Sequence, residues 1–84
     1  MNHVTIRFFA QLKDRAGADT LSLDIVSEYT LKQLVSHLEE TIPNLKGVLS
    51  TGNMQTAINQ EFVDDETVIK HGDEVAFLPP FSGG

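Results

Sequence analysis

Eighty-four residues with twelve acidic and six basic side chains, three histidines and no cysteine describe one small domain with a formal net charge of −6. The missing cysteines exclude disulfides, thiolate metal centres and cysteine nucleophiles together, and so few Lys and Arg argue against a nucleic-acid surface, which needs clustered cations to neutralise phosphate. A chain this short buries only about 60–65% of its unfolded surface, so its core must be efficiently built.

Acids outnumber bases six to four in residues 1–42 and six to two in residues 43–84, which points to a basic partner surface. No apolar run approaches a membrane span, and the amino terminus lacks the basic-then-apolar pattern of a signal peptide. The cytoplasm is the expected location.

In chain order, Val4, Ile6 and Phe8 alternate with Thr5, Arg7 and Phe9, which predicts a first strand with the former set facing the core. Phe9 then falls on the nominally polar face, where it either covers the end of a sheet or belongs to a partner surface. Residues 10–15 read as a short helical turn or loop, and Gly17 as a turn. Leu21, Leu23 and Ile25 alternate through a second strand that pairs with the first as an antiparallel hairpin.

The clearest helix follows. Thr30 and Gln33 form a capping box, and Leu31, Leu34, Val35, Leu38 and Ile42 recur on one face until Pro43 stops the helix. Lys32 near the start and Glu39 and Glu40 near the end oppose the helix dipole, so packing rather than charge must hold this element. Tyr29 is expected to pack on the first turns. Leu45, Val48 and Leu49 suggest a short turn against the core, and Thr51-Gly52-Asn53 breaks the chain. Thr56 to Asn59 reads as a strand, Asn59-Gln60-Glu61 as a turn, Phe62-Val63 as resumed strand, and Asp64-Asp65-Glu66 as a solvated loop. The sum is four or five short strands and one main helix, an α+β roll with a mixed sheet.

The body offers little chemistry. His3 at a strand start, His37 off the apolar stripe and His71 in a turn look too dispersed for zinc, and no metal site is expected. No glycine-rich loop ends in Lys-Ser or Lys-Thr, so no nucleotide cradle is present.

The tail is different. Gly72-Asp73 reads as a turn, Glu74 to Leu78 as a strand, and Pro79-Pro80 as a stiff strut that ends the ladder. Phe81, Ser82, Gly83 and Gly84 follow. Two glycines need no room for Cβ, so they suit a terminal carboxylate that threads a close-fitting channel. With Val75 and Phe77 facing inward, Ala76 and Leu78 face outward, and Leu78 either docks a partner or closes the far side of the sheet. The expected organisation is one domain over residues 1–80 and a flexible tail over 81–84.

These residues carry a family resemblance over essentially the whole chain. Val4 to Leu12 with Gly17, Thr30 to Leu34, Ala57-Ile58-Asn59-Gln60 and above all Gly72 to Pro80 ending in Gly83-Gly84 resemble the small, sulfur-carrier subunits of molybdopterin synthase. That family belongs to the ubiquitin-like β-grasp superfamily, so the resemblance implies a four- to five-stranded mixed sheet with one main helix across one face.

It further implies that Gly84 is adenylated, with ATP consumed by an adenylyltransferase related to ubiquitin-activating enzymes. A sulfur donor protein then leaves a thiocarboxylate. The tail, through Pro79, Pro80, Phe81, Ser82 and Gly83, enters a large catalytic subunit in a heterotetramer of two small and two large chains. There two such sulfurs build the dithiolene of molybdopterin from cyclic pyranopterin monophosphate. Leu78, Ala76 and Phe9 are the implied interface. No cofactor is permanently bound, and catalytic side chains reside on the large subunit. Leu78 stands where the family often has an aromatic residue, and Phe81-Ser82 where smaller pairs are common. Carriers for thiazole synthesis or transfer-RNA thiolation, modifiers that conjugate to lysine, and an inert β-grasp interaction module are the alternatives. Pro79-Pro80 favours the molybdopterin branch.

Overall fold

The computed structural model describes residues 2–50 and 54–78. The first strand, β1 (Asn2–Phe8), buries Val4, Ile6 and Phe8 and exposes the alternate side. A one-turn helix, α1 (Leu12–Ala16), ends at Gly17, whose φ of 80° supplies the left-handed turn that leads back into β2 (Thr20–Ile25). These two strands form the expected antiparallel hairpin, with Val4 opposite Leu23 and Ile6 opposite Leu21.

The main helix, α2 (Leu31–Thr41), starts at the capping box that the sequence announces. The backbone N–H of Gln33 donates to the Thr30 hydroxyl at 3.3 Å, and the Thr30 N–H donates to the Gln33 side chain at 2.9 Å. Leu31, Leu34, Val35 and Leu38 are buried against the sheet. Burying four such side chains contributes on the order of 6–12 kcal/mol as an upper bound, against about 1 kcal/mol for a cap, so packing decides the helix. No acid lies in its first turn and no base in its last. Glu39 is not idle, since its carboxylate accepts the Ser50 backbone N–H at 3.0 Å and ties the helix to the following segment. Pro43 opens a 3₁₀ turn, Pro43–Leu45, which places Leu45 and, beyond it, Leu49 in the core.

The chain then forms β4 (Gln55–Ile58), β5 (Glu61–Phe62), β6 (Val68–Ile69) and β7 (Glu74–Leu78), with β3 (Tyr29–Thr30) standing just before α2. The described residues thus hold seven strands where four or five were expected. The main sheet has five, in the order β2-β1-β7-β4-β5, while β3 and β6 pair by themselves. Tyr29 packs on the first helical turns as expected, and the small ladder gives its backbone a second role. Its backbone pairs with Ile69, and its ring lies 6.2 Å from His37 in the second turn.

The loop at Asp64–Glu66 is exposed, but it is more than solvated. The Asp65 carbonyl accepts the Lys32 N–H at 3.0 Å and the Thr67 carbonyl accepts that of Leu31 at 2.8 Å, which satisfies two unpaired donors of the helix start.

β7 occupies the centre of the sheet, parallel to β1 and antiparallel to β4. Val75 and Phe77 are fully buried, and the Phe77 ring stacks on Phe8 at 6.0 Å. One helix across one face of a mixed five-stranded sheet is the β-grasp roll that the resemblance implied. The expected break at Thr51-Gly52-Asn53 and the expected strut and tail, Pro79, Pro80, Phe81, Ser82, Gly83 and Gly84, lie outside the described residues, as does the boundary between residues 80 and 81.

Candidate carrier face

Because α2 covers one side of the sheet, alternation sends every second residue of each strand to the other side. Register fixes which residues meet there. On β7, Ala76 lies beside Arg7 of β1 and opposite Ala57 of β4, and Ala57 is in turn opposite Phe62 of β5. One row across the sheet therefore reads Phe62, Ala57, Ala76, Arg7. In the next row Gln55 faces Leu78, and Phe9 follows Phe8 beside it, its N–H donating to the Phe77 carbonyl at 3.3 Å.

Leu78 and Ala76 are half-buried, Phe9 is 36% exposed and Phe62 71% exposed. Ala57 is 7% exposed and yet does not belong to the helix-facing core, since it is covered on this face by its cross-strand neighbours. The expected interface residues Leu78, Ala76 and Phe9 thus share one face. Phe62 joins them, and the sequence reading took it only as strand. The signal was available: a two-residue turn at Asn59-Gln60, with φ of 52° and 74°, pins Phe62 opposite Ala57 and hence onto the face of Ala76.

The start of β7 is held from two sides. The Asn59 amide nitrogen donates to the Asp73 carboxylate at 2.9 Å, and its oxygen accepts the Glu74 N–H at 3.0 Å. The other Asp73 oxygen accepts the Lys70 N–H at 2.8 Å. On the β1 side the Gly72 N–H donates to the His3 carbonyl at 2.7 Å and the Thr5 N–H to the Asp73 carbonyl at 3.0 Å. These bonds fix the strand from which the expected tail departs.

The histidines are less dispersed than the sequence suggests. The His3 N–H donates to His71 Nδ1 at 2.9 Å, and His3 Nδ1 lies 2.8 Å from an Asp24 oxygen. The reason is the parallel β1–β7 pairing, which brings the turn before β7 beside the start of β1. His37 lies elsewhere, on α2. Among the described residues no group of three or more His, Asp or Glu is placed to hold a metal ion. Clefts of about 330 and 460 Å³ flank α2, lined by groups such as Ser36 and Glu39, on the side of the helix rather than of the open face. No helix among the described residues is long and apolar enough to cross a membrane.

Comparison with known proteins decides the family. The model described as the ThiS family matches residues 6–84. The chain belongs to the ThiS family. Within it, the chain is 33% identical over 82 residues to a molybdopterin synthase sulfur carrier subunit of Haemophilus influenzae, covering 96% of this chain and 99% of that one. Among solved structures, the small archaeal modifier protein 1 of Methanosarcina acetivorans is 28% identical with a TM-score of 0.85, covering 100% of this chain and 98% of that one. One chain of the complex of subunits 1 and 2 of the molybdopterin-converting factor of Helicobacter pylori is also 28% identical. Its TM-score is 0.67, covering 98% of this chain and 99% of that one. This ThiS-family chain thus shares its length and roll with carriers and modifiers alike.

Proposed function

We propose that the chain is the sulfur-carrying subunit of a molybdopterin synthase. The observation that carries this reading is the end-to-end match, at 33% identity, to a protein described as such a carrier. In it, ATP activates the Gly84 carboxylate as an acyl adenylate on a separate adenylyltransferase. A sulfur donor protein displaces the nucleotide, and the resulting thiocarboxylate enters a large catalytic subunit, which supplies the side chains for transfer to cyclic pyranopterin monophosphate. A carboxylate is a poor acyl donor until its oxygen becomes a leaving group, which is why activation must come first.

The H. pylori complex of subunits 1 and 2 supports association with a large subunit. The arrangement of two small and two large chains, and the adenylyltransferase as second partner, are part of the proposal. So are the cytoplasmic location, where ATP is at hand, the division into a domain over 1–80 and a tail over 81–84, and the threading of Pro79 to Gly83. Phe9, Ala76, Leu78 and Phe62 form the docking face, on which one apolar patch serves both partners in turn.

The test is intact-mass spectrometry of the chain after incubation with its activating enzyme, ATP and a sulfur donor, followed by molybdopterin formation with the large subunit. Replacement of one oxygen by sulfur on the wild-type chain, and no dithiolene without it, is the expected result. A second reading, conjugation to lysines, is favoured by the likeness to the archaeal modifier. It predicts an isopeptide-linked Gly84 in cell extracts, which the carrier reading does not require.

A further inference from the structure

Beside the apolar patch of the open face, on a row flanked by Thr20 and Glu74, stands a cation. Arg7 continues the row of Phe62, Ala57 and Ala76 towards Thr20 of β2, and its guanidinium carbon lies 5.2 Å from the centre of the Phe9 ring on the same face. A guanidinium over an aromatic ring is attracted by its charge and does not spend its N–H donors on a protein acceptor, so they remain for one on a partner. Glu74 is the acid closest to serving: its oxygen stands 3.9 Å from one guanidinium nitrogen, beyond hydrogen-bond distance, and the two side chains are 46% and 41% exposed. The arginine thus lies between the Phe9 ring, at the docking patch, and a loose ion pair with Glu74 that leaves its hydrogen bonds unmade.

A partner that closes on Phe9, Leu78 and Phe62 strips water from this guanidinium. A buried charge is tolerated only where its hydrogen bonds and its charge are both answered. We propose that Arg7 is a specificity residue, and that the surface which seats here presents a carboxylate from its apolar centre to the Arg7 fork. This inference rests on the docking-face reading given above. It names a partner with two opposed electrical features. The net charge of −6 attracts a broadly basic surface at long range, while Arg7 demands one acid at the centre of contact. A surface that is apolar throughout is rejected, because it leaves the arginine unanswered.

The experiment is calorimetric titration of the large synthase subunit, taken from the same genome, with the folded chain and three variants. Phe62→Asp tests the docking face itself. Arg7→Met combined with Glu74→Gln removes the internal pair as a unit, so a loss of affinity then reports a carboxylate left unpaired on the partner. Arg7→Lys keeps the charge but not the fork. Expected are a large loss with Phe62→Asp, a loss of ~10-fold or more with the double variant, and an intermediate loss with Arg7→Lys, with unchanged thermal melts. Should the double variant bind as tightly as the parent or better while Phe62→Asp binds poorly, the docking face stands and the Arg7 proposal falls. Undiminished binding by Phe62→Asp overturns the docking face and this inference with it.

Discussion

Asn59 and Asp73 join the turn after β4 to the first residues of the central strand. The amide nitrogen of Asn59 reaches one oxygen of Asp73 at 2.9 Å, its oxygen takes the neighbouring Glu74 N–H, and its own φ is 52°. Asparagine suits both tasks, because it tolerates the left-handed conformation and its short amide hydrogen-bonds nearby backbone. Asn59→Ala loses the bonds and adds backbone strain, so it is expected to cost about 2 kcal/mol. Asn59→Gly loses the bonds but relieves the strain and is expected to cost about half as much. Urea midpoints of the two variants check the order, and an alanine no worse than glycine contradicts it.

The carrier face makes a second prediction. Leu78→Asp places a charge beside Phe9 without touching the helix-facing core, so the fold should keep its melting temperature. Affinity for the large subunit is expected to fall by about 2 kcal/mol or more, the scale of a hot-spot loss. Titration calorimetry on the folded variant measures it, and unchanged affinity returns Leu78 to the role of a sheet cover.

Gly84 is expected to be indispensable to the chemistry and irrelevant to the fold. Deleting it, or converting its carboxylate to an amide, should abolish both acyl-adenylate and thiocarboxylate formation. Placement of the reacting carbon governs the rate, and a displacement of about 1 Å already costs roughly 10²-fold. Intact mass and thermal melting are the paired readouts. Sulfur acquired by the deleted chain sinks the carrier reading and leaves the interaction-module alternative.

Single replacement of His3, His37 or His71 should leave single-turnover sulfur transfer nearly unchanged in folded, thiocarboxylated chain. The His3–His71 contact joins a backbone N–H to a ring nitrogen at the edge of the fold, and the ring of His37 meets Tyr29 on the helix. A loss of orders of magnitude in any of the three variants reveals a chemical role for that histidine.

What the sequence made legible was whatever repeats locally. β1, β2 and β7 announce themselves by alternation, and α2 by its stripe and capping box, because each is written within a dozen neighbouring residues. Alternation also placed Ala76 and Leu78 on the open face. The ladder of Tyr29–Thr30 with Val68–Ile69 stayed hidden, since two residues per strand carry no period. The meeting of His3 with His71, 68 residues apart, follows from a parallel pairing that no local pattern encodes. Phe62 was missed for a related reason: β5 is two residues long, and only the register set by the Asn59-Gln60 turn assigns its side.

The strand at the middle of the sheet is the last of the described strands, and it lies against the first: Thr5 pairs with Glu74 and Phe8 with Phe77. Until β7 emerges from the ribosome, β1 and β4 have nothing between them, and Phe8 lacks the ring it stacks on. Closing so long a loop delays folding, because the entropy is lost before the contacts reward it. A nascent chain stalled at β4 therefore has no sheet centre. Only with residues 74–78 in place are β1 and β4 joined, so the sheet closes after the other strands of the domain have been made.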